Sequence, residues 1–177
     1  MENKERLKNL ILYICSECKD IEKLGATKLN KILWFADSIV YKQTGSSITG
    51  TKYKKLQYGP VPMQIVEVLS ELENEGKLEI QEENYFGLRK KQFKALSEPQ
   101  IDLFSATELK FVDFLVHDVC KNHTASSISD LSHDMSWNAA HIGEEIPLAA
   151  TLAVEEGVLT ESDLKWADSV IKEMQPV

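Results

Sequence analysis

Long apolar runs are missing from this 177-residue sequence, and so are the features of an export signal. No stretch approaches the roughly 20 apolar residues that cross a bilayer. The N-terminal segment interrupts its apolar positions with charges and has no A-x-A-like cleavage site, which argues against a signal peptide. Three cysteines, an odd number without an export signal, favour reduced thiols. We therefore expect a cytoplasmic protein with no membrane partner.

Motifs of the common enzyme classes are missing as well. There is no Walker-type glycine loop, no G-x-G-x-x-G and no G-x-S-x-G. Carboxylates are plentiful, but none stands in a recognisable acid-base context. Asp37, alone in an apolar segment, is better explained as the partner of a Tyr or Trp donor than as a catalytic group. We expect a protein that is not an enzyme and that has no cofactor.

Two pairs of soft residues have the local spacing of a zinc site. Cys15-x-x-Cys18 and Cys120-x-x-His123 could together supply four tetrahedral ligands. Both pairs fall on or near the ends of predicted helices, without the Gly-containing turns that usually hold such thiolates, and a buried reduced cysteine behaves as a small hydrophobe. A cysteine-histidine hydrolase is a second alternative, although nothing marks one thiol as activated. We expect no metal site and no catalytic residue.

The hydrophobic and charged content of the chain is typical of a domain with one hydrophobic core. Hydrophobic content of 43% and charged content of 27% are ordinary values for a globular protein. A domain of this length buries about 70% of its unfolded surface, and no internal repeat or long linker divides the chain. We expect a single domain over residues 1–177. Its predicted class is α+β and mainly α, with a small antiparallel β-sheet or hairpin inserted after the third helix.

Apolar residues at spacings of three and four predict the helices. The first is expected from about Lys4 to Glu17, and the second follows a cap at Thr27. The third is expected between Pro62 and Gly76. Later helices are predicted after a Ser105 to Glu108 capping box, near Ser127 to His133, from Pro147 to about Glu156, and from a cap at Thr160.

The stretch from Thr49 to Val66 joins a basic, aromatic run to a Gly-Pro-Val-Pro turn. Gly59 can adopt backbone angles forbidden to other residues, Pro60 fixes its own φ, and Pro62 suits the first turn of a helix. We therefore predict a sharp corner between a strand and a helix. Two further strands, joined around Gly87, are expected to form one antiparallel sheet with the basic run.

Charge is distributed unevenly around a formal net charge of −8. Residues 23–60 hold seven lysines and one carboxylate, whereas residues 97–177 hold fifteen acidic residues and four lysines. Such polarity suits docking on an acidic partner at one end, although solvated lysines are the simpler explanation. A lysine-rich sheet edge that prevents aggregation is a further alternative. The candidate partner-binding residues are Lys52, Tyr53, Lys54, Lys55, Arg89, Lys90 and Lys91.

The order of helix, corner and hairpin is similar to that of a winged-helix nucleic-acid binder, whose wing would carry Arg89, Lys90 and Lys91. The net acidity of the chain argues against this alternative. So does the third helix, which is acidic where a recognition helix would be basic. Its carboxylates are Glu67, Glu71, Glu73 and Glu75. Nucleic acid is therefore not an expected partner.

These residues together resemble the Panacea domain family, the SocA-like group that includes phage-associated proteins. The resemblance covers about residues 5 to 155, and the combination is more specific than any single part. It rests on Lys28-Leu29, Ile32 to Asp37, Tyr41, Ile48-Thr49-Gly50, Tyr53, Tyr58-Gly59-Pro60-Val61-Pro62, Gly76, Ser127, Leu131, Ser132-His133, Trp137, Gly143 and Ile146.

The resemblance implies an antitoxin domain that neutralises a toxin encoded beside it by direct protein contact. Some relatives act as adaptors that deliver the toxin to a protease, so a protease is a second implied partner. We expect no N-terminal DNA-binding module of the kind that some relatives carry, and the resemblance therefore assigns no autorepression. Gly59, Pro60 and Pro62 are expected to set the turn geometry. Asp37, Tyr58, His133 and Trp137 are expected to brace the core.

Overall fold

The computed structural model describes residues 2–85 and 88–154. The turn expected around Gly87 and the last helix expected from Thr160 lie outside the described residues. The α-helices are α1 (Glu2–Glu17), α2 (Ala26–Thr44), α3 (Ile65–Asn74), α4 (Ala106–Asn122), α5 (Ala125–Leu131) and α6 (Met135–Ala139). The strands are β1 (Tyr53–Leu56), β2 (Gly59–Pro62), β3 (Leu78–Tyr85), β4 (Leu88–Ala95) and β5 (Glu145–Ile146). The prediction of an α+β, mainly helical fold is confirmed.

Short 3-10 helices connect several of these elements, at Ile21–Lys23, Ile101–Leu103 and Leu148–Val154. The last of them stands where an α-helix was predicted from Pro147. None of the helices within the described ranges combines enough length and apolar character to span a lipid bilayer.

Helix α2 begins earlier than its predicted cap. Gly25, with extended backbone angles, is the N-cap, and Thr27 lies inside the first turn. Gly25 also forms an isolated antiparallel bridge to Gln92 of β4. That long-range pairing holds Gly25 in the extended conformation that an N-cap requires, which local sequence could not indicate. At the other end, Gly45 has a φ of +76° and closes the helix through its N–H to the Tyr41 carbonyl.

The capping box at the start of α4 is confirmed. The Glu108 N–H donates to Ser105 Oγ (3.2 Å), and the Ser105 N–H donates to Glu108 Oε2 (2.7 Å). A second capping box that the sequence analysis missed opens α5, where Thr124 caps the helix and Ser127 closes the box. This helix therefore begins before Ser127 instead of at it.

The strands form two sheets and not the single sheet that was predicted. Strand β1 lies between β2 and β5, antiparallel to both, and β3 pairs with β4 as a separate hairpin. The predicted strand-to-helix corner was also wrong, because residues 59–62 turn back and pair with β1. Pro60 and Pro62 are tolerated there because β2 is an edge strand, where a missing N–H costs no ladder bond. Helix α3 starts only at Ile65.

Helix α2 is the central element of the core. It contacts α4, α5 and β2, while α1 packs against α3, α4 and β4. Ile32, Leu33 and Trp34 are almost completely buried. The Trp34 ring meets the Tyr53 ring edge to face, with 5.0 Å between centroids and an interplanar angle of 72°. Such pairs contribute about 0.5–1.5 kcal/mol beyond the buried area, so this contact fixes β1 against α2.

Candidate functional site

The turn between β1 and β2 (residues 56–60, the β1-β2 turn) is held through alternate backbone carbonyls. The donors are side chains of three different helices, α2, α5 and α6. The bonds run from Lys31 Nζ to Pro60 O (3.0 Å), from Ser129 Oγ to Tyr58 O (2.8 Å) and from Trp137 Nε1 to Leu56 O (3.2 Å). The backbone of the turn is therefore fixed by tertiary contacts in addition to the strand pairing.

Gly59 of the turn is packed against Lys31 of α2 and against Ser132, which follows α5. Its φ is +104°, and a Cβ built there would lie 2.3 Å from Lys31 Nζ and 2.3 Å from Ser132 Oγ. Ser132 Oγ donates to the carbonyl of Ser129 (2.7 Å) and is fully buried. No side chain fits at position 59 without moving these atoms, so the position requires glycine for its space and for its backbone angles.

Lys31 is the most unusual charged residue of this region. Its side chain is 1% exposed, and its ammonium donates to a carbonyl group. Burial removes water from the ammonium and lowers the pKa of Lys31 to about 7. A lysine held in this way titrates near neutral pH, and its hydrogen bond persists in the neutral form because an amine still donates.

Tyr58 projects outward from the β1-β2 turn. Its side chain is 64% exposed, so the expectation that Tyr58 braces the core was wrong. The physical reason is that the carbonyl of Tyr58 points inward to Ser129, and its side chain is left to solvent. Leu131 and Met135, on the two short helices that hold the turn, are also exposed, at 59% and 63%. These three side chains form the set that we call the apolar turn patch.

The His133 and Trp137 rings stack beside the turn, with 3.8 Å between centroids and 17° between planes. Lys55 Nζ lies 3.8 Å from the centre of the Trp137 ring and donates to the Ala140 carbonyl (3.0 Å). Burial, and then the charge of Lys31, lower the pKa of His133. Both rings are half-buried, and the Lys55 contacts fix α6 against β1.

We expect Trp137→Ala to lower the free energy of unfolding by about 2 to 3 kcal/mol. Truncation of a fully buried aromatic ring costs roughly 3 to 5 kcal/mol, but Trp137 is only half-buried. Urea denaturation monitored by circular dichroism measures the change. Trp137→Phe is the matched control, since it keeps a six-membered aromatic ring and removes the pyrrole ring with its Nε1 donor. Equal stabilities of wild type and Trp137→Ala would exclude a bracing role.

Asp37 of α2 is completely buried. It accepts from the Thr49 N–H (2.8 Å), from the Thr49 hydroxyl and from the Tyr53 hydroxyl (2.8 Å). Burial raises the pKa of Asp37, although these hydrogen bonds act in the opposite direction. Asp37 therefore ties the segment before β1 to α2, with a Tyr donor as the sequence indicated.

The candidate basic residues do not form one surface. Tyr53 is 0% exposed and hydrogen-bonded to Asp37, so its assignment to a contact surface was wrong. The other candidates lie in two groups. One group is in β1 or directly before it, and the other is in β4, which belongs to a different sheet. Lys52 pairs with Glu145 (3.1 Å), Lys54 is half-buried, Lys55 covers Trp137, Arg89 lies in β4, Lys90 donates to the Glu22 carbonyl (2.6 Å) and Lys91 pairs with Glu82 (3.4 Å).

The acidic face of α3 is directed at α1. Lys4 contacts Glu67 (2.8 Å), and Lys8 contacts Glu71 (2.9 Å) and Glu75 (2.6 Å). Lys8 is almost completely buried beneath these carboxylates. These carboxylates are thus paired with lysines of α1. A recognition helix would instead present basic side chains to solvent.

The soft residues considered for zinc do not converge. Cys15 is buried and burial raises its pKa, while Cys18 Sγ lies 3.1 Å from Cys120 Sγ. The His123 ring faces Ser127 (3.3 Å) and Asp118 (3.4 Å). Within residues 2–85 and 88–154, no group of three or more His, Cys, Asp or Glu side chains is placed to hold a metal ion.

Lys31 and Ser129 are the site residues that sequence reasoning missed, whereas Ser132 was named only as part of the family resemblance. Lys31 carried a signal, because it interrupts the apolar face of α2 between Leu29 and Ile32. A lysine at such a position is buried or reaches a polar group. Ser129 lies in a short helix whose spacing carries no comparable signal, and only its contact with the turn reveals it.

Comparison with curated proteins and with solved structures finds no match. The family model described as "Antitoxin SocA-like, Panacea domain" matches residues 29–138, more than half of the chain. The matched range runs from α2 through α6 and includes the β1-β2 turn with all three of its side-chain donors. The protein belongs to the antitoxin SocA-like family and carries a Panacea domain.

Proposed function

We propose that this protein is the antitoxin of a toxin-antitoxin system and that it neutralises a cognate toxin by direct contact. The family match supports an antitoxin-type role. The observation that carries the contact mechanism is the β1-β2 turn, whose backbone is held from three helices while Tyr58 remains 64% exposed.

The apolar turn patch has the properties of an interface anchor. Tyrosine is enriched among the residues that dominate binding energy, and a preformed backbone loses little entropy when a partner binds. Tyr58 is therefore the proposed centre, and Leu131 and Met135, on the helices that hold the turn, are further exposed apolar side chains of this region. A complete interface needs about 1,600 Å² in total. Lys52 lies directly before β1 and Lys54 lies in it. We propose that these two lysines form a basic rim of the interface, which favours a toxin with an acidic surface.

We expect Tyr58→Ala to weaken toxin binding at least tenfold, which corresponds to about 1.4 kcal/mol. Its melting temperature should stay near that of the wild type, because the side chain is largely exposed. The product of the neighbouring open reading frame is the toxin to be tested, by co-expression for growth and by isothermal titration for Kd. Phe114→Ala is the matched control, since Phe114 is an aromatic residue of α4 with 63% exposure outside the patch.

Three results would each contradict a different part of the proposal. A neighbouring protein that is harmless when expressed alone, or that does not associate with this chain, would overturn the antitoxin function. A second result concerns the anchor. If Tyr58→Ala binds the toxin normally and Lys52→Glu and Lys54→Glu do not, the anchor lies on these two lysines and not on Tyr58. Loss of toxin only in cells that contain a particular protease would indicate an adaptor mechanism.

A further inference from the structure

Two thiols that are distant in sequence meet where α1 and α4 end. Cys18 follows directly on α1, and Cys120 lies in the last turn of α4. Their Sγ atoms are 3.1 Å apart, and neither cysteine is in a disulfide. A disulfide bond of about 2.05 Å needs the two sulfur atoms to approach by only about 1 Å. The fold therefore presents a thiol pair at near-bonding distance.

The surroundings of the pair favour one thiol as the nucleophile. The hydrogen bond from Cys120 lowers the pKa of Cys18, whereas the same contact and burial raise the pKa of Cys120. The mostly buried Lys28 lies close enough to interact electrostatically with both sulfur atoms. A nearby ammonium stabilises a thiolate. Cys15 of α1 is buried to a similar extent, with 4% exposure against 5% for Cys18, and burial raises the pKa of Cys15.

A groove gives solvent molecules access to this region. Its volume is about 640 Å³, and Cys18 lines it together with Cys15, Lys19, Lys94 and Glu98. Cys120 is half-buried. A small disulfide compound fits in a groove of this size, and the lysines suit an anionic one.

We propose that Cys18 and Cys120 form a reversible disulfide by exchange with a low-molecular-weight disulfide. The Cys18 thiolate attacks one sulfur of that compound, which releases its other half as a thiolate. Cys120, after losing its proton, then attacks Cys18 Sγ in the mixed disulfide and releases the second half. Two cysteine thiols are oxidised with the loss of two protons, and the external disulfide is reduced to two thiols.

The disulfide would join a residue outside the family-matched range to a residue inside it. Cys18 follows α1 and lies before the family-matched range, whereas Cys120 lies inside it. Closing a loop of about 100 residues stabilises mainly by restricting the unfolded chain. Neither cysteine takes part in the side-chain hydrogen bonds that hold the β1-β2 turn. The property that oxidation would control is therefore the resistance of the protein to unfolding. This inference does not depend on the proposed function.

The test uses the full chain and oxidised glutathione as the probe. We expect a product lighter by about 2 Da in intact mass, with a Cys18 to Cys120 cross-link in the non-reducing peptide map. Its melting temperature should rise by roughly 10 °C and return after dithiothreitol. Cys18→Ser and Cys120→Ser should abolish the cross-link and the shift.

Cys15→Ser is the matched control on the neighbouring turn of α1 and should keep the cross-link. A peptide map that shows Cys15 joined to Cys18, or only glutathione adducts, would overturn the proposal. So would an equal rise in melting temperature for Cys120→Ser, because the stabilisation would then have another cause.

Discussion

Gly59→Ala is expected to lower the free energy of unfolding by about 4 kcal/mol. The residue has a φ of +104°, which costs an L-residue with a side chain about 1 to 2 kcal/mol. The new methyl group would also lie 2.3 Å from Lys31 Nζ and Ser132 Oγ, both of which are buried. Overpacking of this kind costs about 1 to 3 kcal/mol, and displacing Lys31 also weakens its bond to Pro60.

Gly45→Ala separates the two causes. Gly45 also has a positive φ, +76°, but nothing lies within 4 Å of a Cβ built there. Its substitution should therefore cost only the backbone strain, about 1 to 2 kcal/mol. Urea denaturation of both variants gives the comparison. Equal losses for the two variants would show that the close approach of Lys31 and Ser132 does not constrain position 59.

The contribution of Lys31 to the stability of the folded protein is expected to rise with pH above neutrality. Burial lowers its folded-state pKa from 10.5 to about 7. Between these values the unfolded chain binds one proton more than the folded chain, so the free energy of unfolding increases with pH. The stabilisation is complete above pH 10.5, is lost as pH falls towards 7, and stays absent below it. The slope is about 1.4 kcal/mol per pH unit, with a total of up to about 5 kcal/mol.

Lys31→Met should remove this slope, since methionine fills similar space without a titratable group. Urea denaturation at intervals from pH 6 to 10 measures the difference between the two proteins, which cancels other groups that titrate in this range. Lys110→Met, at an exposed position of α4, is the control and should follow the wild-type curve. Parallel curves for wild type and Lys31→Met would mean that Lys31 remains charged in the folded protein.

The helices could be predicted because their signals are local. The apolar spacing in α1 and α2 and the Ser105 to Glu108 capping box of α4 depend on residues within one or two turns of each other. The hairpin after α3 was indicated by alternation in the same way. The family resemblance was also carried by the sequence, through residues that the match over 29–138 includes.

The strand partners and the exposure of single side chains could not be predicted in this way. Whether residues 59–62 continue into a helix or turn back on β1 depends on donors from α2, α5 and α6, which are up to 80 residues away. Tyr53 and Tyr58 look alike in sequence, yet Tyr53 is fully buried on Asp37 and Tyr58 is 64% exposed. Burial is a property of the assembled fold, so neither residue's role was available locally.

The sequence by itself therefore determined the helical class, the positions of the main helices and the family, since each depends on short-range periodicity or on residue identity. Only the tertiary structure decided that the Gly-Pro-Val-Pro segment is an edge strand, that Lys31 is buried beneath it, and that Tyr58 faces solvent. It also decided that Cys18 meets Cys120. These features require contacts between distant segments, and such contacts form only when the whole core packs.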